Sequence, residues 1–286
     1  MNILTFDIEE WFHLLDNPST KTEQDWGKYE SRIHHNMDRI FRLLDETDSR
    51  ATFFCLGWVA RKYPDVIRRI DEAGYEVATH SDLHQLAYEQ SPAEYRADLE
   101  RSIKSLQDVT GKKVRSYRAP GFSIKEQNRW VFPTLVELGV EIDCSMFPAR
   151  RSHGGDSSFG IAEPCYIDVN GSLLKEFPIN TVGMLGKDLI FSGGGYFRLF
   201  PLPVLRYFMR KSPYVMTYFH PRDFDPGQPM VPGLSRTRQF KSYYGLGGCW
   251  GKLKQLLLDY EFVDLVEAEK RIDWSGSQIQ RFNVTV

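Results

Sequence analysis

The chain has 286 residues, of which 42% are hydrophobic and 26% charged. That is the balance of a soluble globular protein, and it excludes disorder, collagen and coiled coil as the dominant state. Thirty-six basic residues face 38 acidic ones, for a net charge of −2, so nothing marks a polyanion-binding surface or a nucleic-acid partner.

Strand and helix signals alternate along the chain. Residues 3–6 read as a short apolar strand. Residues 28–46 place Ile33, Met37, Ile40, Leu43 and Leu44 on one helix face. A second strand is expected over 51–56, a helix over 64–73 stopped by Gly74, and a third strand over 76–79. Ser91-Pro92-Ala93-Glu94 is a strong helix start, with a Ser N-cap, Pro at the first position and Glu at the third. That helix ends near Gly111. A fourth strand follows over 114–117, a helix over 128–138 and a short fifth strand over 140–142.

From about 145 to 200 the pattern changes to an insertion. Residues 150–160 read as a polar loop. Asn170-Gly171 between runs 165–169 and 172–176 predicts a β-hairpin. Ser192-Gly193-Gly194-Gly195 and residues 245–251 read as glycine-rich loops. A helix over 203–211, a strand over 215–219, a helix over 251–259 and a last strand over 262–265 complete the pass. With no internal repeat or linker, residues 1–286 read as one domain. The alternation argues for a parallel sheet, open or closed, with chemistry at the carboxyl ends of its strands.

The cysteines at 55, 144, 165 and 249 form no CxxC pair, which suggests free thiols in a reducing compartment. The first residues lack the pattern of a secretory signal, and no apolar run approaches a membrane span, so a cytoplasmic location is expected.

Five strand ends deliver polar residues suited to catalysis. The first ends in Asp7, followed by Glu9 and Glu10. The third ends in His80, with His84 four residues on, and the fourth in Arg118. The fifth runs into Asp143. The strand over 215–219 ends in His220, backed by Arg222 and Asp223. Two His at i and i+4 on a helical turn can share a metal, and a catalytic zinc site wants a third ligand. The acids behind the first strand are the candidates, since neighbouring carboxylates repel unless a cation is near.

These residues form an ordered set. Thr5-Phe6-Asp7-Ile8-Glu9-Glu10-Trp11, Ala51-Thr52-Phe53-Phe54, His80-Ser81-Asp82-Leu83-His84, Arg118-Ala119-Pro120-Gly121-Phe122, Asp143-Cys144-Ser145 and Tyr218-Phe219-His220-Pro221 resemble the successive motifs of the polysaccharide deacetylases, carbohydrate esterase family 4, the NodB homology domain. The resemblance runs from residue 3 to about 265. The first motif, Gly193-Gly194-Gly195-Tyr196-Phe197-Arg198 and His220-Pro221 look like the branch linked to exopolysaccharide and O-antigen clusters.

The resemblance implies an α/β fold, a distorted (β/α)7 barrel, here with a β-hairpin insertion. It implies Asp7 as general base, Arg118 as the residue that orients it, His220 as general acid and Asp143 as the partner of His220. It implies His80 and His84 as ligands of zinc, or of another divalent metal such as cobalt. Where typical members have two adjacent Asp, this chain has Asp7-Ile8-Glu9-Glu10. Strand alternation puts Asp7 and Glu9 on one side, which favours Glu9 as third ligand and leaves Glu10 as fallback. Gly121 stands where Tyr is common; its N–H is the expected oxyanion donor, with Phe122 and Trp11 beside the substrate. Trp11, Phe12, Phe122, Tyr196 and Phe197 are either a platform for sugar rings or core.

The expected activity is hydrolysis of an N-acetyl group on a sugar, with the acetylated glycan as the one partner. Two alternatives remain: a cyclic imide or allantoin-type amidohydrolase, and a non-catalytic carbohydrate-binding relative.

Overall fold

The structure is a computed structural model that describes residues 1–15, 17–149, 153–184 and 187–281. Residues 150–152, which open the polar loop expected over 150–160, lie outside the described residues.

The strands are β1 (Asn2–Ile3), β2 (Thr5–Ile8), β3 (Thr52–Cys55), β4 (Glu76–Thr79), β5 (Ser116–Tyr117), β6 (Ile142–Asp143), β7 (Cys165–Val169), β8 (Ser172–Glu176), β9 (Val182–Met184), β10 (Lys187–Leu189), β11 (Val215–Met216) and β12 (Ile279–Arg281). The main helices are α1 (Glu23–Trp26), α2 (Ile33–Thr47), α3 (Gly57–Lys62), α4 (Pro64–Glu72), α5 (Pro92–Thr110), α6 (Val131–Glu137), α7 (Gly194–Leu199), α8 (Leu202–Lys211), α9 (Arg236–Tyr243), α10 (Leu246–Asp259) and α11 (Leu265–Arg271).

One sheet runs in the order β12-β7-β8-β6-β5-β4-β3-β2, and all its pairings are parallel except β7 with β8. On the far side of β2 the sheet continues: β1 pairs with β11 in parallel, and single bridges join Phe6 to Phe219 and Gly193 to Tyr218. Parallel strands with helical crossovers, curling past β2 in this way, form the distorted α/β barrel that the alternation implied. Strands β2 and β3 are buried on both faces, which is why they read as near-continuous apolar runs.

Local chemistry explains most element boundaries. Ser91 Oγ accepts from the Glu94 N–H and the Glu94 carboxylate accepts from the Ser91 N–H, which closes a capping box on α5. Gly111 ends that helix in the left-handed conformation. At the hairpin, Asn170 and Gly171 both take positive φ, as a tight two-residue turn requires. The hairpin is no excursion, because β8 pairs with β6 and β7 with β12.

Several elements differ from expectation. α7 begins at Gly194 inside the run expected to be a flexible turn, and α10 begins at Leu246 rather than Gly251. Glycine content marked both as loops, yet tertiary packing holds them: Cys249, Leu253 and Leu256 of α10 are buried in the main core cluster. The strand expected over 262–265 is one bridge, Ile3 to Val263, and Leu265 opens α11 under an Asp264 N-cap. Strand β12 and helices α3 and α9 carried no signal strong enough to be expected.

Candidate active site

The carboxyl ends of β2, β4 and β5 and the turn at 220–224 open into one cleft of about 400 Å³. Asp7, Glu9, His80, His84, Gly121, Phe122 and His220 all line it.

Asp7 sits in β2 and Glu9 just beyond its end, both buried, and both facing the cleft as strand alternation requires. Asp7 Oδ1 accepts from Arg118 Nη1 at 2.6 Å, and the same nitrogen donates to Thr5 Oγ1 at 2.7 Å. Arg118 is fully buried, with its guanidinium 4.1 Å above the Phe54 ring. A buried pair of this kind fixes both partners, because neither charge has solvent to turn to.

Glu9, His80 and His84 bring one ligand atom each within 4.8 Å of one another. His80 Nδ1 donates to the Arg118 carbonyl at 2.8 Å, since a carbonyl can only accept. That bond leaves the Nε2 lone pair free for a ligand. Burial lowers His80 to about 4, so its imidazole is neutral at ordinary pH. Glu9 Oε2 lies 2.7 Å from His84 Nε2 but in a direction that makes no hydrogen bond, and it is buried without any other partner. Burial pushes the Glu9 carboxyl up, but its close contact with His84 and the field of His220 outweigh it and bring it down to about 2. An ionised carboxylate and two imidazoles, buried and converging with an orphaned oxygen among them, fit a divalent transition metal.

Glu10 does other work. Its carboxylate accepts from Ser31 Oγ and from the Arg32 and Ile33 N–H groups, and so serves the amino end of α2. Glu9, not Glu10, is the acid in the cleft.

The segment between the two histidines is not the helical turn expected. Ser81 and His84 both take positive φ, and the loop is held from outside. Asp98 accepts from the Asp82 and Leu83 N–H groups at 2.8 and 3.2 Å. The buried Asp82 carboxylate pairs with Arg61 and with Arg101, the latter at 2.6 Å. Ser102 Oγ donates to the Ser81 carbonyl at 2.9 Å. Spacing alone could not show this, because the supporting residues lie on α3 and α5.

His220 is held by Asp223, not by Asp143. Its Nδ1 is 3.0 Å from Asp223 Oδ2, which also accepts from the His220 N–H. Nε2 faces the cleft, 3.8 Å from Asp7 Oδ2 and 4.0 Å from Glu9 Oε1. Burial alone would lower the imidazole, but the Asp223 hydrogen bond and the fields of Glu9, Asp223 and Asp7 raise it to about 9. Arg198, 3.4 Å from Asp223, helps hold that carboxyl well below the usual range against burial. The signal was in the sequence: after Pro221 the chain makes one tight turn, and i to i+3 contact is automatic.

Asp143 lies one layer back. It is fully buried, burial pushes it up to about 6, and it stands beside Glu176, which burial raises well above the carboxylate range. Its Oδ1 accepts from Ser145 Oγ at 2.5 Å, and Ser145 Oγ accepts from the Ala119 N–H at 2.8 Å.

Gly121 takes φ +60°, and a Cβ there would come 2.7 Å from Leu15 Cδ1. This explains the departure from Tyr: the segment around Leu15 covers the position. Phe122 packs on Tyr218 at 5.0 Å and on Phe147 at 5.5 Å. Trp11 is a correction. It is buried among Phe12 and Tyr29, donates from Nε1 to the Glu30 carbonyl, and belongs to the core rather than to the cleft lining. Phe12 and Phe197 are core as well, while Tyr196 lines the cleft. His13 is buried between Trp26 and Trp58, near His84, and also reaches the cleft. Arg198, Arg238, Lys241 and Tyr218 line it without having been expected there.

Residues 16–139 match the family described as Polysaccharide deacetylase, and residues 144–270 match a domain of unknown function, DUF3473. Among curated proteins, a peptidoglycan-N-acetylglucosamine deacetylase of Bacillus cereus is 26% identical over 116 residues, 41% of this chain and 40% of that protein. Chitin deacetylase 1 of Saccharomyces cerevisiae is 35% identical over 129 residues, 45% of this chain and 42% of that protein. The chain thus spans less than half the length of these relatives. A solved Mycobacterium smegmatis structure, assigned to the polysaccharide deacetylases, superposes with a TM-score of 0.65 at 18% identity, covering 99% of this chain and 93% of that one. That last likeness is one of fold. The match to the polysaccharide deacetylase family covers residues 16–139, and His80, His84 and Gly121 of that stretch line the cleft on that fold.

Proposed function

We propose that this protein is a metal-dependent deacetylase that hydrolyses the N-acetyl group of a sugar and releases acetate. One observation carries the reading: Asp7 backed by Arg118, the His220–Asp223 pair and the Glu9–His80–His84 cluster meet at one cleft, with His220 Nε2 within 4 Å of Asp7 and Glu9.

Glu9, His80 and His84 would hold the metal, zinc or another divalent ion such as cobalt. Bound there, such an ion supplies Lewis acidity toward the amide carbonyl and toward water. Arg118 keeps Asp7 oriented, and Asp7 takes the proton of the attacking water as general base. The Gly121 N–H is the donor to the developing oxyanion. His220, protonated through Asp223, gives its Nε2 proton to the leaving nitrogen, which departs as an amine. The second water proton leaves on acetic acid, which ionises to acetate, and the proton held by Asp7 restores His220, so that water and amide become acetate, a proton and a free amino sugar.

We read residues 1–286 as one NodB-like domain, because the main sheet takes strands from both sides of residue 144. The first motif and the Gly193–Arg198 segment support a role in exopolysaccharide or O-antigen biosynthesis. The four cysteines are buried and unpaired, in keeping with a cytoplasmic site of action. Among the described residues no helix is long and apolar enough to cross a membrane.

The test is acetate release from N-acetylated chito-oligosaccharides by zinc-loaded protein, beside a His80→Ala/His84→Ala variant. Acetate from the first and none from the second is expected. Ring opening of cyclic imides instead would favour the amidohydrolase alternative. Sugar binding without turnover or metal would favour a binding protein.

A further inference from the structure

One wall of the cleft carries more positive charge than the proposed chemistry uses. Arg198, Arg222, Arg238 and Lys241 all line it, and the acid among them is Asp223. Arg198 is committed: it donates to the carbonyls of Lys241 and Ser242 and stands against Asp223. Asp223 is in turn shared with His220.

The other cations are in surplus. Arg222 is more than nine-tenths buried; its Nε donates to Gln228 Oε1 at 3.2 Å, but its Nη2 is buried with no hydrogen-bond partner. A buried guanidinium nitrogen without an acceptor is costly, and a ligand that brings one recovers that cost. Lys241 is exposed at the rim, in the last turn of α9. Arg238, on the same helix, is tied to the Leu15 carbonyl and lies 3.3 Å from His153.

The placement says which end of the substrate is involved. Gly121 marks the acyl side. His220 marks the side of the leaving amine, and Arg222 stands two residues beyond it in the same turn. An anion on this wall therefore belongs to the sugar or its neighbour, not to the acetyl group. We propose that Arg222 and Lys241 form an anion subsite, so that the substrate is an acetylated sugar carrying a carboxylate or phosphate ester near the acetamido group. Guanidinium and ammonium groups on one wall suit either oxyanion. The inference rests on the deacetylase reading for the identity of the sugar, though not for the existence of the anion site.

Two matched pairs of probes separate the sources. Methyl N-acetylglucosaminide is set against N-acetylglucosamine 1-phosphate, and chitotetraose against a hyaluronan tetrasaccharide. Binding to zinc-loaded protein is measured by calorimetry and turnover by acetate release, in wild type, Lys241→Glu and Arg222→Gln. The anionic member of at least one pair is expected to bind about tenfold tighter at low salt. That preference should fade with added salt and be erased in Lys241→Glu, whose side chain is exposed and whose fold is safe. A preference in the first pair identifies a phosphate ester, and one in the second a uronate. Ratios below about threefold in both pairs, or a preference untouched by both variants, overturn the subsite. Absence of acetate from every probe would instead sink the deacetylase reading, with the binding ratios still legible.

Discussion

Asp143 is joined to the backbone of Ala119 through a single hydroxyl, that of Ser145, which donates to the one at 2.5 Å and accepts from the other at 2.8 Å. Ala119 lies between Arg118, which holds Asp7, and Gly121, the expected oxyanion donor. Asp143 is thus a positioning residue for that segment. Ser145→Ala should leave both the Ala119 N–H and Asp143 short of a partner. We expect a loss of about 1–3 kcal/mol in urea unfolding, with a fall in kcat larger than any change in KM. Unchanged kcat in a stably folded variant would detach the link from the chemistry.

Asp7→Asn removes the proposed base but leaves Glu9, His80 and His84 in place. Acetate release should drop by roughly 10²–10⁴, while elemental analysis still finds one metal per chain. Full activity in the variant would refute the assignment.

The alkaline limb of kcat/KM should report His220. Its pKa is raised to about 9, so the proton it is proposed to donate is present at neutral pH and lost as pH rises through about 9. Asp223→Asn removes one charge that raises it and leaves only a weaker, neutral acceptor for Nδ1. The limb should then move to lower pH, and a limb that stays fixed would mean another group is titrating.

Asp98 carries the loop between the two histidines. Burial raises it to about 6. A carboxyl whose pKa is raised on folding contributes stability that is full below its unfolded value near 3.8 and is lost as pH rises through about 6. Asp98→Ala should erase that part of the pH dependence of unfolding. It should also strand the Asp82 and Leu83 N–H groups, at a cost of about 2–4 kcal/mol, and weaken zinc binding. Calorimetric zinc titration of the variant checks the second effect.

Gly121→Ala meets two obstacles, positive φ and Leu15. The first should cost about 1–2 kcal/mol, and the second should ease in the Gly121→Ala/Leu15→Ala double variant, where Leu86 at 3.2 Å and His153 at 3.3 Å remain. Thermal unfolding of the three variants separates the two effects.

Much of the site was legible because its residues stand at strand ends. Asp7, His80, Arg118 and His220 each follow an apolar run, and alternation along β2 distinguished Glu9 from Glu10. What escaped was whatever depends on distant neighbours. The His80–His84 loop owes its shape to Asp98, Arg61, Arg101 and Ser102 on two helices, and i, i+4 spacing suggested a helix instead. Asp143 was assigned to His220 by family likeness, but burial and Ser145 turn it toward Ala119. Trp11 lies next to the site in sequence, yet Tyr29 and Phe12 draw it into the core.

Glu9 and Glu10 are chain neighbours with the same side chain and opposite destinations, one in the cleft and one at the amino end of α2. Deleting one residue at the end of β2 would move Glu10 into the cleft position and Trp11 into the one that serves α2, whereas inserting one would hand Glu9 to α2 and leave the cleft position without its acid. Either way one of the two places, the cleft or the amino end of α2, is left without its carboxylate. A duplicated glutamate is therefore no buffer against such a shift, and directed-evolution libraries that vary loop length here should recover almost no length variants, even though single substitutions nearby survive.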